Sequence, residues 1–260
     1  MVKGFIFGWK GKGFGNALIA SHVTKIVNDC GVPAAMSPHR TIVGLVDVPI
    51  YDSTKHEGFS DLRGLVFSHT FAHKRMDLPI LEKYLRYASE CCGQKIEFSR
   101  KDHNFVPVTF TEVEVPKADV ALNTTSGPWG PNRNWPYFTE LKKMLESNGI
   151  SYIDLNEERI VSHTCLNYVK KAKLYIGLDT GMSHYVSKFA NHKALILQSG
   201  HSPFWFWAYP YEYDFITSDN ECEYRPCLLN VSDTKVCPYD RICMTSLSKE
   251  VVFKEILRRI

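Results

Sequence analysis

Between residues 119 and 198 the chain repeats one rhythm: a short apolar run, a polar loop, a stretch with helical spacing, then another apolar run. Strands alternating with helices run parallel, because each helix carries the chain back to the same end of the sheet, and such a sheet is covered on both faces. The spacing predicts strands at residues 119–123, 150–155, 174–178 and 194–198, with helices at 136–148, 166–171 and 182–190. Pro136 suits a first helical turn, and Gly149 suits the stop that follows. The opening of the chain has the same form. A strand at residues 2–8 leads into a glycine-rich loop, and from Asn16 onward Leu18, Ile19, Val23, Ile26 and Val27 recur at helical spacing up to Gly31. Further strands are expected at residues 41–48 and 63–68 and through the alternating Val106, Val108 and Phe110. A helix is expected at 79–88, and the one plausible domain boundary falls near residues 114–117.

Composition excludes several function classes. The chain has 260 residues, enough for one or two domains with their own cores. Its 31 Lys and Arg against 28 Asp and Glu leave a formal charge of +3, without the concentrated basic surface that nucleic acid requires. No apolar run approaches the roughly 20 residues that cross a bilayer, and residues 1–8 do not read as a secretory signal. The expected location is cytoplasmic, or peripheral to an inner membrane. In that setting the eight cysteines are expected to be reduced or metal-bound.

In parallel sheets ligands bind beyond the carboxyl ends of the strands, where loops enter helix N-termini whose free N–H groups favour anions. Three loops qualify: residues 11–16, 124–134 and 179–184. The first completes no GxGxxG, which disfavours a dinucleotide-dependent oxidoreductase. The third, Asp179-Thr180-Gly181-Met182-Ser183-His184, is the strongest feature of the chain. Two readings of it stand side by side. Asp179 can accept hydrogen bonds from sugar hydroxyls while the N–H groups of Thr180, Gly181 and Met182 face a phosphate, or Asp179 simply caps the helix and Gly181 relieves a tight turn.

That segment, with the apolar strand and Gln198-Ser199-Gly200 after it, resembles the D-T-G-x-x-H signature of the heptosyltransferases, glycosyltransferase family 9. Asn123-Thr124-Thr125 followed by Arg133-Asn134-Trp135-Pro136 is similar to the family's hydroxyl-rich strand end and basic-x-Trp-Pro helix start. The cysteine-rich stretch from Cys222 to Cys243 and the helix after it are a third likeness. The resemblance covers residues 117–260 well and the first 115 loosely. It implies an α/β fold of the GT-B type, two Rossmann-like domains with parallel sheets: a shortened acceptor half at 1–115 and a donor half at 116–260. It also implies transfer of a sugar, heptose in the leading case, with inversion, from a nucleotide diphosphate sugar such as ADP-heptose to a glycan or lipopolysaccharide-type, lipid-linked acceptor. The donor would meet Thr124, Thr125, Arg133, Thr180, Gly181 and Met182 through its phosphates, Asp179 through its sugar, and Glu157, or next Glu158, through its ribose.

The pattern departs from the family in one place that matters. Members usually carry an aspartate base after the first Gly-x-Gly, whereas this chain reads Gly13-Phe14-Gly15-Asn16, and a neutral amide cannot take the acceptor's proton in that way. Gly13, Gly15 and Asn16 would then line the acceptor side only. Replacement bases are His69 and Asp47, with His39 and His73 behind them; His184 is expected to support the Asp179 loop. The missing base keeps a rival open, a nucleotide-sugar-binding protein impaired in catalysis. Trp135 is expected to pack, and residues 204–211 to cover the adenine or form a lid. No cofactor is required for catalysis, since a guanidinium and helix N–H groups can hold a leaving diphosphate. Cys222, Cys227, Cys237 and Cys243 are spaced by four, nine and five residues, looser than zinc-ribbon pairs. A structural zinc or iron site, reduced thiols and disulfides all remain open there.

Overall fold

The computed structural model describes residues 3–8, 14–38, 46–63, 79–97, 111–127, 130–157, 162–190, 193–202, 213–220, 222–227 and 237–260. The chain divides into two compact units, one within Met1–Phe110 and one within Thr111–Phe204 and Tyr211–Ile260.

In the first unit β1 (Gly4–Phe7) enters α1 (Phe14–Asp29), which returns to β2 (Ala34–Met36); β3 (Phe59–Asp61) and α2 (Ile80–Cys92) follow. The strands are parallel in the order β2-β1-β3, with Phe5 opposite both Ala34 and Ser60. The apolar face read from α1 is the buried one, with Leu18, Ile19, Val23 and Val27 at most 2% exposed. Ser21 and Thr24 on the same helix satisfy their buried hydroxyls by donating to Leu18 O and Ala20 O. Helix α2 buries the residues that its spacing predicts, Ile80, Leu81, Tyr84, Leu85 and Ala88, and stops where Gly93 turns left-handed at φ 62°.

Two strands here escaped the sequence reading. β2 is a three-residue strand just after Pro33. β3 precedes the expected strand at residues 63–68, because Phe59-Ser60-Asp61 is only half buried and carries little apolar signal. Residues 64–68, 106, 108 and 110 lie outside the described residues. Of the strand expected at 41–48, the described part holds only Val46–Val48, and the neighbouring Ile50 forms an isolated bridge to Met36.

The second unit follows the predicted rhythm. β4 (Val120–Leu122), a 3-10 turn at Pro131–Arg133 and α3 (Phe138–Ser147) lead to β5 (Tyr152–Asp154) and α4 (Ser162–Lys171). β6 (Leu174–Leu178), α5 (Gly181–Ala190), β7 (Ala194–Leu197), β8 (Asp214–Ile216), α6 (Ile242–Thr245) and α7 (Lys249–Arg259) complete it. The sheet is parallel, ordered β5-β4-β6-β7-β8, with β6 buried at every position. Leu122 pairs with Asp154 on one side and Ile176 on the other, and Leu178 pairs with Leu197. The loops after β4, β5, β6 and β7 therefore all leave from one edge.

One face of this sheet is sealed by α3 and α7. Leu141, Leu145, Val252 and Ile256 are fully buried against Val120, Leu122, Ile176 and Leu178. Trp135 packs, as expected: it is 3% exposed, its indole Nε1 donates to Leu247 O at 2.7 Å, and the Tyr137 hydroxyl donates to Thr245 O at 2.7 Å. α7 is N-capped by Ser248, whose Oγ accepts from Val251 N. Among the described residues no helix is long and apolar enough to cross a membrane. Truncating Leu141 to Ala should cost about 2–5 kcal/mol of stability in chemical denaturation, the range for a fully buried leucine; a loss under about 1 kcal/mol would show that the α3 seal is loose.

Candidate functional site at the carboxyl edge of the second sheet

β6 ends at Leu178 and the chain turns at once into α5, leaving Asp179 and Thr180 buried at 6% and 9% exposure. The turn is pinned from below. Ser183 Oγ donates to Leu178 O at 2.6 Å and lies 3.0 Å from the Tyr175 hydroxyl, and the Tyr213 hydroxyl donates to Ser183 O. The Tyr175 ring reaches Ser183 across Gly177, where any Cβ would collide with it. The first N–H groups of α5 have no partner within the helix and so form the anion-favouring end of a rigid element.

Arg133 comes to this turn from the 3-10 segment after β4. Its Nη1 donates to Asp179 O at 2.6 Å and stands 3.8 Å from Asp179 Oδ1, with the side chain 18% exposed. Gly130 leaves room for the guanidinium, since a Cβ there would overlap it. From the other side, Ser202 Oγ in the loop after β7 donates to Asp179 Oδ2 at 3.2 Å. Arg133 Nε and Thr180 Oγ1 are among the buried polar atoms left without a hydrogen-bond partner within the described residues. A donor and a hydroxyl left this way beside a helix N-terminus suit an anionic, hydroxyl-bearing ligand.

Two histidines share the electrostatics of this carboxylate. Loss of hydration pushes His184 and His201 down to about 4; the Asp179 charge opposes this and Arg133 adds to it. Both imidazoles are neutral near pH 7, which fits a supporting role for His184 rather than that of an ion-pair partner.

Neighbouring loops are held by a different set of contacts. The Thr124 hydroxyl points back to Asp154, at 2.9 Å from Oδ2 and 3.1 Å from Oδ1, and Asn156 Oδ1 accepts the N–H groups of Thr124 at 2.7 Å and Thr125 at 3.2 Å. Thr124 thus serves as frame, whereas Thr125 is exposed. Glu157 is exposed beyond β5 and paired with Lys142. Asn16 and Gly15 lie in the first turn of α1, half-buried, and Asp47 is exposed in the first unit. Gly13, His39, His69, His73, Glu158 and residues 204–211 lie outside the described residues. Asp154, Asn156, Lys142, Ser202 and His201 were not singled out from the sequence, and only the carboxylate at a strand end could have drawn attention to Asp154.

The four cysteines are free thiols, and two of them, Cys227 and Cys243, contact Gly200. Cys227 Sγ donates to Gly200 O and Cys243 Sγ accepts from Gly200 N, both at 3.3 Å; Cys237 Sγ accepts from Arg241 N at 3.2 Å. Burial, then the nearness of Cys243, Cys237 and Cys222, pushes the Cys227 thiol up to about 11. Among the described residues no group of three or more His, Cys, Asp or Glu side chains is arranged to hold a metal ion.

Compared by sequence, the chain matches no protein-family model and no curated protein. Compared by structure, it is similar over its whole length to glycosyltransferases. The iron-containing dodecameric glycosyltransferase TibC from enterotoxigenic E. coli H10407 superposes with a TM-score of 0.70 at 12% identity, covering 99% of this chain and 76% of that one. A glycosyltransferase family 9 protein from Veillonella parvula gives 0.62 at 10% identity, covering 100% and 98%. The E. coli heptosyltransferase WaaC with ADP gives 0.59 at 11% identity, covering 98% and 99%. At such identities the likeness establishes the fold: α/β, with parallel sheets, of the GT-B type.

Neutral His184 and His201 give a pH dependence of fixed sign. The unfolded chain binds protons on these side chains below about 6.5, while the folded chain resists until about 4. Stability is therefore unaffected by them above pH 7 and falls between pH 6.5 and 4, by an amount of the order of 3 kcal/mol per histidine. Thermal melting of His184→Gln across this window should show a shallower decline than the parent; an identical slope would contradict the assignment.

Proposed function

We propose that the chain is a glycosyltransferase that moves a sugar, a heptose in the leading case, from a nucleotide diphosphate sugar to a glycan or lipopolysaccharide-type acceptor with inversion. The observation that carries this reading is the junction of Asp179, Arg133 and the start of α5, where a buried guanidinium Nε and the Thr180 hydroxyl lack partners. Support comes from two relatives in fold, TibC in complex with ADP-D-beta-D-heptose and WaaC with ADP. The second unit would take the donor and the first the acceptor, with the protein cytoplasmic or peripheral to an inner membrane.

In this mechanism the acceptor hydroxyl attacks the anomeric carbon as the bond to the diphosphate breaks. Negative charge grows on the leaving oxygens, where Arg133 and the N–H groups of Thr180, Gly181 and Met182 can stabilise it without a metal. Asp179 would orient the sugar by accepting from its hydroxyls, its own carboxylate held by Ser202. The proton of the acceptor would pass to Asp47 or His69, since Asn16 offers no basic group.

The cysteine cluster is read separately. The described residues show no group already arranged for a metal, but Cys243, Cys237 and Cys222 all lie near enough to Cys227 to raise its pKa, and these four would be the donors for a structural zinc or iron. Such an ion would keep no open position for substrate and would staple the segment around Gly200. Elemental analysis of the purified protein should find about one zinc or iron per chain, lost in Cys227→Ser; a metal-free, stable chain would leave these as plain thiols.

The assay is donor turnover with ADP-heptose. Asp179→Asn and Arg133→Ala should each lower kcat/KM by about a hundredfold or more with the fold retained, the scale for removing a charge-stabilising group. Turnover abolished by a chelator and restored by magnesium would overturn the metal-free step. Asn16 keeps one second reading in view, a binding protein impaired in catalysis. Calorimetric donor binding with no turnover on any acceptor, and turnover gained in Asn16→Asp, would favour it.

A further inference from the structure

Beneath the loops after β4 and β5 lies a buried charge network that the reaction scheme leaves unused. Asp154 ends β5 at 3% exposure and accepts the Thr124 hydroxyl, the backbone N–H of Asn156 at 2.9 Å and Lys142 Nζ at 2.6 Å. Lys142 rises from α3 beside the buried Leu141, and its side chain is 13% exposed. The same Nζ also stands 2.6 Å from Glu157 Oε1. One ammonium therefore joins a carboxylate that is almost wholly buried to one that is 69% exposed.

We infer that Lys142 is a positioning residue for the nucleotide: anchored on Asp154, it fixes the Glu157 carboxylate at the edge of the sheet, facing the ribose hydroxyls of the donor. This deepens, and rests on, the nucleotide-sugar reading above. An exposed glutamate samples several rotamers and gains little from an exposed lysine, because both side chains lose freedom on pairing. Lys142 differs from such a partner. Its stem is packed, its charge is already neutralised by Asp154, and only Glu157 is left to be ordered. Burial by itself would lower the Lys142 pKa, but the hydrogen bonds and charges of Asp154 and Glu157 outweigh it and raise it, so the ammonium stays charged. A carboxylate held by one oxygen keeps its remaining lone pairs for a vicinal diol, which supplies two O–H donors. Asp154 also holds Thr124, and Asn156 holds the Thr124 and Thr125 peptides, so the same anchor sets the adjacent loop.

The test is calorimetric binding of ADP and of 2′,3′-dideoxy-ADP to the full chain, in parent, Lys142→Met, Glu157→Gln, the double variant and Lys142→Arg. The parent should bind ADP about tenfold tighter than the dideoxy compound, the difference expected of hydrogen bonds to a charged acceptor. Lys142→Met and Glu157→Gln should each erase that preference while leaving dideoxy-ADP affinity unchanged. The double variant should be no worse than either, and Lys142→Arg should restore part of the preference. Equal losses for both compounds, or additive losses in the double variant, would overturn the inference. So would a parent that binds both compounds equally, although nucleotide binding itself would then stand. A parent that binds neither compound would overturn the nucleotide reading and this inference with it. Should Lys142→Met unfold, the exposed Glu157→Gln decides alone: an unchanged preference for ADP overturns the proposal.

Discussion

The second unit is organised around a carboxylate taken out of water. Asp179 sits at the end of a strand buried at every position, and a carboxylate is tolerated there only with compensation from nearby charge and hydrogen bonds. Arg133 and Ser202 supply it, and each arrives on a loop from a strand adjacent to β6. The sheet order thus serves an electrostatic need. Parallel strands deliver their loops to one edge, and the two neighbours of β6 are the elements close enough to neutralise what it exposes there.

Around that centre the polar groups fall into two populations. Ser183, Tyr175, Thr124, Asn156 and Asp154 have their hydrogen bonds met within the protein and make a stiff frame. Arg133 Nε and the Thr180 hydroxyl do not. A frame with met hydrogen bonds resists rearrangement, so the groups left over keep their directions before any ligand comes. Such preorganisation is what makes fixed donors effective against developing charge.

Much of this was legible in the sequence where the signal is local. Apolar runs separated by helical spacing revealed β4, β5, β6 and β7 in order, and the Asp179-Thr180-Gly181 turn stood out because carboxylate, hydroxyl and glycine coincide at a strand end. Arg133 was legible through its place before Trp135. What escaped is what depends on partners far along the chain. Asp154 looks like any polar strand end until Lys142 and Thr124 converge on it, and Thr124 looks like a ligand contact until its hydroxyl is seen spent on Asp154. The strands Ala34–Met36 and Asp214–Ile216 were missed because three residues carry too short a pattern to separate from loop.

The bonds from Trp135 to Leu247 and from Tyr137 to Thr245 span 112 and 108 residues. The segment that presents Arg133 is thus clamped by residues synthesised long after it. During translation the helix following Arg133 must wait, its apolar face uncovered, until α7 emerges to cover it. Closure over such a span is slow. Maturation of the site is then coupled to completion of polypeptide synthesis, and a nascent chain stalled short of residue 245 would carry every strand of the second sheet yet lack the brace behind its guanidinium.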